Sequence, residues 1–143
     1  MKNILLLSGI FLFTFAFGQS FEPFNFTGTV SSNGWTMHSG ILGQMQAIAT
    51  PSNVGNSLYF TNLEASAGNR TTLVAGNTED VNKAISGITG SGYLSFLINV
   101  PNTTGINPAG DYFTGFGATT GAAVTILGAR TFIKPGLTPN TFQ

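Results

Sequence analysis

Cysteine is absent from the 143 residues, and charge is scarce: Asp, Glu, Lys and Arg together make up 7% of the chain, against roughly 25% in an ordinary soluble domain. Each shortage excludes something. Without a thiol there is no disulfide framework, no thiolate nucleophile or metal ligand, and no lipid-modified N-terminal cysteine. Five Lys and Arg side chains, scattered along the chain, cannot build the basic patch that phosphate contacts need, so nucleic acid is not expected as a partner. The single histidine, His38, would need three carboxylates beside it to hold zinc, a poor donor set for that ion. Helical periodicity is nearly absent as well. The one candidate, residues 79–85, is short, and its β-branched Val81 and Ile85 suit a strand equally well.

One long apolar run is present, residues 4–17, preceded by Lys2 and followed by Ala16-Phe17-Gly18 before Gln19. A short positive start, an apolar stretch and small residues at −3 and −1 make residues 1–18 a secretory signal peptide cleaved before Gln19. The run is short for a membrane anchor, and no positive stop follows it. Cleavage removes Lys2 and leaves four basic against five acidic side chains in residues 19–143. No second long apolar run follows, so no membrane span is expected after cleavage, and the protein should be secreted or held at the cell surface. An exported domain without disulfides has to be held by its apolar core.

Nineteen glycines and many Thr, Ser and Asn residues stand in place of the missing charges. The stretch expected to organise the domain is residues 92–100, Gly-Tyr-Leu-Ser-Phe-Leu-Ile-Asn-Val, closed by Pro101. Leu94, Phe96, Ile98 and Val100 alternate with Tyr93, Ser95, Leu97 and Asn99, which predicts a central strand with one dry face. Phe96 should then be fully buried. Further strands are expected at residues 42–50, 57–63, 71–75, 111–116, 124–127 and 130–134, the last carrying Phe132 inward. One short strand is expected within 21–30, a turn at Asn33-Gly34 that delivers Trp35, and a nine-residue loop over 102–110. Residues 80–85 lead into a Gly-rich approach to the organising strand. Short strands at intervals of roughly 8–12 residues predict an all-β domain, an antiparallel β-sandwich or barrel, over residues 19–143. The chain stops just after a turn that leads into another strand, at residues 135–143. The expectation is a truncated copy of a longer protein, with a sandwich incomplete at its C-terminal part and prone to aggregate.

The chemistry-bearing residues are few. A Ser–His–Asp triad would have to use His38 with Asp80 or Asp111, but no G-x-S-x-G elbow is present. A loop histidine bonded to backbone is the plainer reading. Glu79 and Asp80 are adjacent, point to opposite faces of a strand, and so cannot flank one sugar bond as a glycosidase pair. Asp111 with Asn107 and Asn102 offers hard oxygen ligands of the kind calcium takes, although without a D-x-D-x-D-G loop. No other cofactor is expected. Trp35, Tyr59, Tyr93 and Tyr112 could present flat aromatic faces to a sugar, with neutral amides and hydroxyls around them; for Trp35, packing under a sheet edge is the stronger reading.

Several segments in order, Ser32-Asn33-Gly34-Trp35-Thr36-Met37-His38-Ser39-Gly40, then Gly76-Asn77-Thr78-Glu79-Asp80-Val81-Asn82-Lys83, then residues 92–100 and Gly110-Asp111-Tyr112-Phe113, together resemble the N-terminal region of large exported proteins of the Bacteroidetes. Such proteins often end in a type IX secretion sorting domain, and their front domain is similar to concanavalin A/laminin G-like jelly rolls. The resemblance covers most of residues 19–134 and its motifs name no catalytic role. It implies a jelly-roll-like sandwich that ends here before its second half. The function expected is a non-catalytic module for adhesion or contact with polysaccharide or cell-surface glycan. The alternatives are the accessory front domain of an exported hydrolase whose catalytic part lies elsewhere, and a spacer without ligand.

Overall fold

A computed structural model describes residues 20–49, 58–64, 67–85, 87–139 and 141–143. The signal peptide expected at residues 1–18 lies outside the described residues, as do Thr50 and Ser57 at the ends of two expected strands. Among the described residues there is no α-helix, and every strand pair is antiparallel. The fold is all-β. No helix among them is long and apolar enough to cross a membrane.

Among the described residues, seven strands form three small sheets. β1 (Gly28–Thr29), β3 (Gln46–Ile48) and β4 (Arg70–Thr72) make one, in the order β1-β3-β4. β2 (Thr36–Ser39) pairs with β5 (Asp80–Asn82), and β6 (Asp111–Gly117) pairs with β7 (Leu127–Ile133). A 3-10 turn, Val30–Ser32, links β1 to the Asn33-Gly34 turn, where Gly34 takes a φ of 84°. The turn before Trp35 therefore stands where the sequence puts it.

The expected strands are mostly present but shorter. In residues 42–50 the ladder is confined to Gln46–Ile48, because Leu42 and Gly43 form a turn in which Gly43 has a φ of 87°. Residues 58–63 hold no strand; Asn62 sits at a φ of 69°, a left-handed conformation that breaks an extended run. The two strands expected at 124–127 and 130–134 are one, β7, and Val124 belongs to the preceding loop. Its ladder with β6 shifts register twice, between Tyr112 and Thr114 and between Thr114 and Phe116, which bends the hairpin locally.

Two glycines are fixed by close approach. A Cβ on Gly40 (φ 85°) would stand 1.7 Å from the Thr78 carbonyl oxygen, and one on Gly68 (φ 87°) would stand 1.7 Å from the Pro23 carbonyl oxygen. Both places bring chain segments far apart in sequence into backbone contact, and only a residue without a side chain fits. Around them lies the small core. Val30 and Ala47 are fully enclosed, and Glu79 is the buried acid at 6% exposure.

The organising segment differs most from expectation. Residues 92–100 belong to no strand and no sheet. Leu94, Phe96 and Ile98 remain 47%, 47% and 44% exposed, so the face expected to be dry is half open and Phe96 is not fully buried. The alternation is visible only in the contacts made. The Phe96 ring meets Phe113 of β6 edge-on, with centroids 5.5 Å apart, and Phe96 and Ile98 border an apolar pocket with Phe113, Ile133 and Phe142. Without a flanking strand to close over it, an apolar strand pattern gains little burial. On β7, Phe132 stands opposite Tyr112 on the ladder and is likewise 48% exposed rather than turned inward.

Candidate functional site

The densest set of polar side chains lies where β2, β5 and the β6–β7 hairpin meet. Asp80 opens β5, and its Oδ2 accepts two short hydrogen bonds, from Ser39 Oγ at 2.6 Å and from the Tyr112 hydroxyl at 2.6 Å. Ser39 is placed there by the β2–β5 ladder, in which it stands opposite Asp80 after a register shift from Met37. Tyr112 is placed by β6. Its hydroxyl is pushed up to about 12 by burial, by its hydrogen bond to Asp80 and by the Asp80 charge, against a smaller opposing pull from Arg130. Arg130 of β7 lies over the rings of both Tyr112 and Phe132, with its guanidinium carbon 5.7 and 5.3 Å from their centroids, in cation–π range.

Asn82, two residues along β5, holds a second junction. Its amide nitrogen donates to the carbonyls of Thr36 and Gly121 at 3.0 and 2.9 Å, and its oxygen accepts from the Gly121 N–H at 2.8 Å. The same amide nitrogen lies 3.2 Å from Nδ1 of His38. His38 thus meets Asn82, whereas Asp80 is engaged by Ser39 and Tyr112 and the Asp111 carboxylate by the N–H of Asn107. These contacts do not assemble the Ser–His–Asp alternative, since Ser39 donates straight to the carboxylate with no imidazole between them.

Glu79 and Asp80 do part company as adjacent residues should. Glu79 turns into the core, where it accepts from Ser31 Oγ at 2.8 Å and from the Met45 N–H at 2.6 Å. Burial pushes its carboxyl up, but the N–H of Met45, the Ser31 hydroxyl and the N–H groups of Gly43 and Gln44 together outweigh that and hold it below its ordinary 4.5. Glu79 is therefore a structural anion that fastens the 43–45 turn to the start of β5. Gln44 completes the fastening, its oxygen accepting from the N–H groups of Thr78 and Glu79.

The four aromatic residues expected as a platform divide into two pairs. Trp35 is stacked on Phe24, with centroids 5.7 Å apart and planes 16° from parallel, and its Nε1 is buried. Tyr112 is tied to Asp80. Tyr59 and Tyr93, in contrast, stand 61% and 92% exposed. All four border one open hollow of ≈ 3260 Å³, far beyond the roughly 300–1,000 Å³ of a small-molecule pocket. Val74, Ile85, Ile88, Leu94, Leu97 and Phe116 border it too, which makes it uncovered apolar surface rather than a shaped site.

In the loop over 102–110, Asp111 and Asn107 are brought together: Asp111 Oδ2 accepts the Asn107 N–H at 2.9 Å. Asn107 Oδ1 in turn accepts the Ala109 N–H at 2.9 Å, and Asn102 Oδ1 accepts the Thr104 N–H at 3.1 Å. Each of the three oxygen donors considered for calcium thus closes a turn of its own loop. Among the described residues, no cluster of three His, Cys, Asp or Glu side chains could hold a metal ion.

The sequence reading missed the Asp80–Tyr112 bond, which joins residues 32 apart, and the Arg130 stack. Nothing local signals either, because both depend on which strands pair and in what register. No protein family, curated protein or solved structure matches this chain.

Proposed function

We propose that this protein is a non-catalytic β-sandwich module, exported to the cell surface or medium, that makes adhesive contact with polysaccharide. The observation that carries the reading is the pair of free tyrosines, Tyr59 and Tyr93, exposed on a surface almost without charge. A neutral sugar offers C–H faces to aromatic rings and hydroxyls to amides and alcohols, and it gains nothing from ions. The export signal and the likeness to Bacteroidetes surface proteins point the same way, and that likeness also supports a jelly-roll arrangement of the three sheets. Trp35 and Tyr112, being engaged in packing and hydrogen bonding, frame the surface rather than touch the sugar.

Affinity electrophoresis of the full chain through gels containing neutral polysaccharides tests this. Retardation is expected with at least one polymer, and Tyr93→Ala and Tyr59→Ala should each weaken it by up to roughly tenfold without changing the fold, the usual worth of one aromatic contact. Free migration through a broad set of neutral glycans would leave the spacer reading instead.

A further inference from the structure

Asn82 binds the loop between β6 and β7 in the way one strand binds another. Its Oδ1 accepts the Gly121 N–H at 2.8 Å and its Nδ2 donates to the Gly121 carbonyl at 2.9 Å, so one side chain satisfies both backbone groups of a residue 39 positions away. The Thr36 carbonyl takes a further bond from Nδ2 at 3.0 Å. These three backbone groups leave the amide a single orientation. Turned over, it would set its nitrogen against the Gly121 N–H and its oxygen against two carbonyls. The Asn82 nitrogen, which only donates, therefore faces Nδ1 of His38 at 3.2 Å. Nδ1 can meet it only as an acceptor, and that requires a neutral ring with its proton on Nε2.

The β2–β5 ladder explains why the histidine stands there. Thr36 lies opposite Asn82, and an unbroken ladder would set His38 opposite Asp80. The register shift between Met37 and Ser39 puts Ser39 there instead and leaves His38 as the extra residue, its ring against Asn82, the kind of re-aiming a bulge allows. We propose that His38 makes this junction a pH-sensitive latch: a proton on Nδ1 sets an N–H against the Asn82 amide nitrogen, two donors with no acceptor between them, and frees the 118–126 loop from β5. No residue from 118 to 126 is charged, so no side-chain ion pair of the loop holds it in place of Asn82. The loop keeps its own bonds, from the Ala118 N–H to the Ile126 carbonyl at 3.0 Å and from Thr119 Oγ1 to the Ala123 carbonyl at 3.2 Å, and moves as a unit. The charged and titratable groups around the junction are engaged elsewhere: Asp80 with Ser39 and Tyr112, Lys83 with Glu22, and Arg130 over the Tyr112 ring. Ala118, Thr119, Thr120 and Val124 border the open hollow, so release of the loop reshapes that surface, whether or not a sugar binds there.

Amide exchange of the full chain, read residue by residue by NMR and corrected for the intrinsic rate at each pH, tests the latch. From about pH 7.5 to about 5.5, the interval in which an imidazole takes up its proton, Gly121 should lose protection several-fold. Ala118, whose N–H bonds within the loop, should keep its own. His38→Gln, neutral at every pH and still able to accept from Asn82, should hold Gly121 protected throughout. The ring nitrogen shifts of His38 at the higher pH should place the proton on Nε2. Gly121 protection that does not change with pH overturns the proposal, as does an equal loss in His38→Gln or a neutral ring protonated on Nδ1. Joint loss at Ala118 and Gly121 in both proteins would also overturn it, by showing that acid loosens the whole hairpin without the histidine.

Discussion

The described residues before Ile85 and those after Ile88 solve the same problem in two ways. In the first region, short strands of two to four residues are fastened by specific groups: the buried Glu79 carboxylate on Ser31 and Met45, Gln44 on the start of β5, and Gly40 pressed against Thr78. Asn69 and Gly68 tie back to Phe26 and Pro23, and Lys83 pairs with Glu22. In the second region, the two seven-residue strands of the β6–β7 hairpin make a long ladder, yet their apolar neighbours at 92–100 and 126–127 stay half exposed. Burial of apolar area is what strands of this pattern depend on, and where it is incomplete a good pattern yields no sheet. The first region shows the converse: its apolar core is only Val30 and Ala47, and polar groups fasten the 43–45 turn and the start of β5.

That contrast implies that the most damaging single change lies among the fastenings rather than among the aromatics. Gly40→Ala should be the worst. It puts a Cβ into a left-handed position, costing about 1–2 kcal/mol, and forces the Thr78 carbonyl away from the 1.7 Å approach, an overpacking cost of about 1–3 kcal/mol. Urea unfolding should show a loss of about 2–5 kcal/mol for the two together. A loss no larger than that of an exposed substitution would mean that the 39–41 and 77–79 segments are not locked as described.

Acid should act on the first region next. Glu79 is held below its ordinary 4.5 by the N–H and hydroxyl groups around it. A depressed carboxyl contributes stability that is fully present above the unfolded value and is lost as pH falls through the folded one. Unfolding midpoints should therefore decline below about pH 4.5, and Glu79→Gln should flatten that decline while lowering stability at pH 7 by about 1.5–3 kcal/mol, the worth of hydrogen bonds to a charged group. An unchanged acid profile in the variant would assign the pH dependence elsewhere.

How much of this could be read from the sequence follows the same division. The all-β class was legible because turn residues recur between β-branched and aromatic runs. Asn33-Gly34, β6 and the 102–110 loop stand close to their expected places, and residues 79–85, open between helix and strand in the sequence, hold the strand β5. Alternation at 92–100 was legible too, but alternation states only which side chains share a face. It carries no information on whether a neighbouring strand is there to cover that face, and this is why Phe96 is 47% exposed where full burial was expected. The polar junctions were hidden for a different reason: Asp80 with Tyr112, and Asn82 with Gly121, join residues 32 and 39 apart, through registers that no local pattern encodes. Glu79 and Asp80 were expected on opposite faces, but not which face was the core; Glu79 is the anchor there and Asp80 serves the hairpin.

Phe96→Ala should cost less than its pattern suggests. Complete burial would make the change worth about 3–5 kcal/mol. With roughly half the ring in water and one edge-on contact to Phe113, about 1–2 kcal/mol is expected. Guanidinium unfolding of the variant beside Gly40→Ala measures the ranking directly, and a larger loss for Phe96→Ala would reverse the comparison between the regions.

The smallest effect should come from the bond that joins them. Tyr112 belongs to the hairpin and Asp80 to β5, so Tyr112→Phe removes one hydrogen bond between the two regions while leaving the ring under Arg130. A hydrogen bond to a charged acceptor at a half-buried site is worth somewhat under the 1.5–3 kcal/mol of an enclosed one, so about 1 kcal/mol at pH 7 is expected. Alkaline titration separates this bond from general packing. The Tyr112 hydroxyl is raised from 10.0 to about 12. A raised folded value contributes stability that is complete below pH 10 and is lost as pH climbs through 12. The wild-type protein should therefore lose stability between pH 10 and 12, and the Phe variant, which has no proton to give up, should lose less over the same interval. Absorbance at 295 nm should show the late phenolate transition disappear in Tyr112→Phe and move to lower pH in Asp80→Asn, where both the charge and the strong acceptor are gone. If Asp80→Asn leaves that transition in place, the hairpin is not held to β5 through this pair, and the two regions are joined by Asn82 and Gly121 instead.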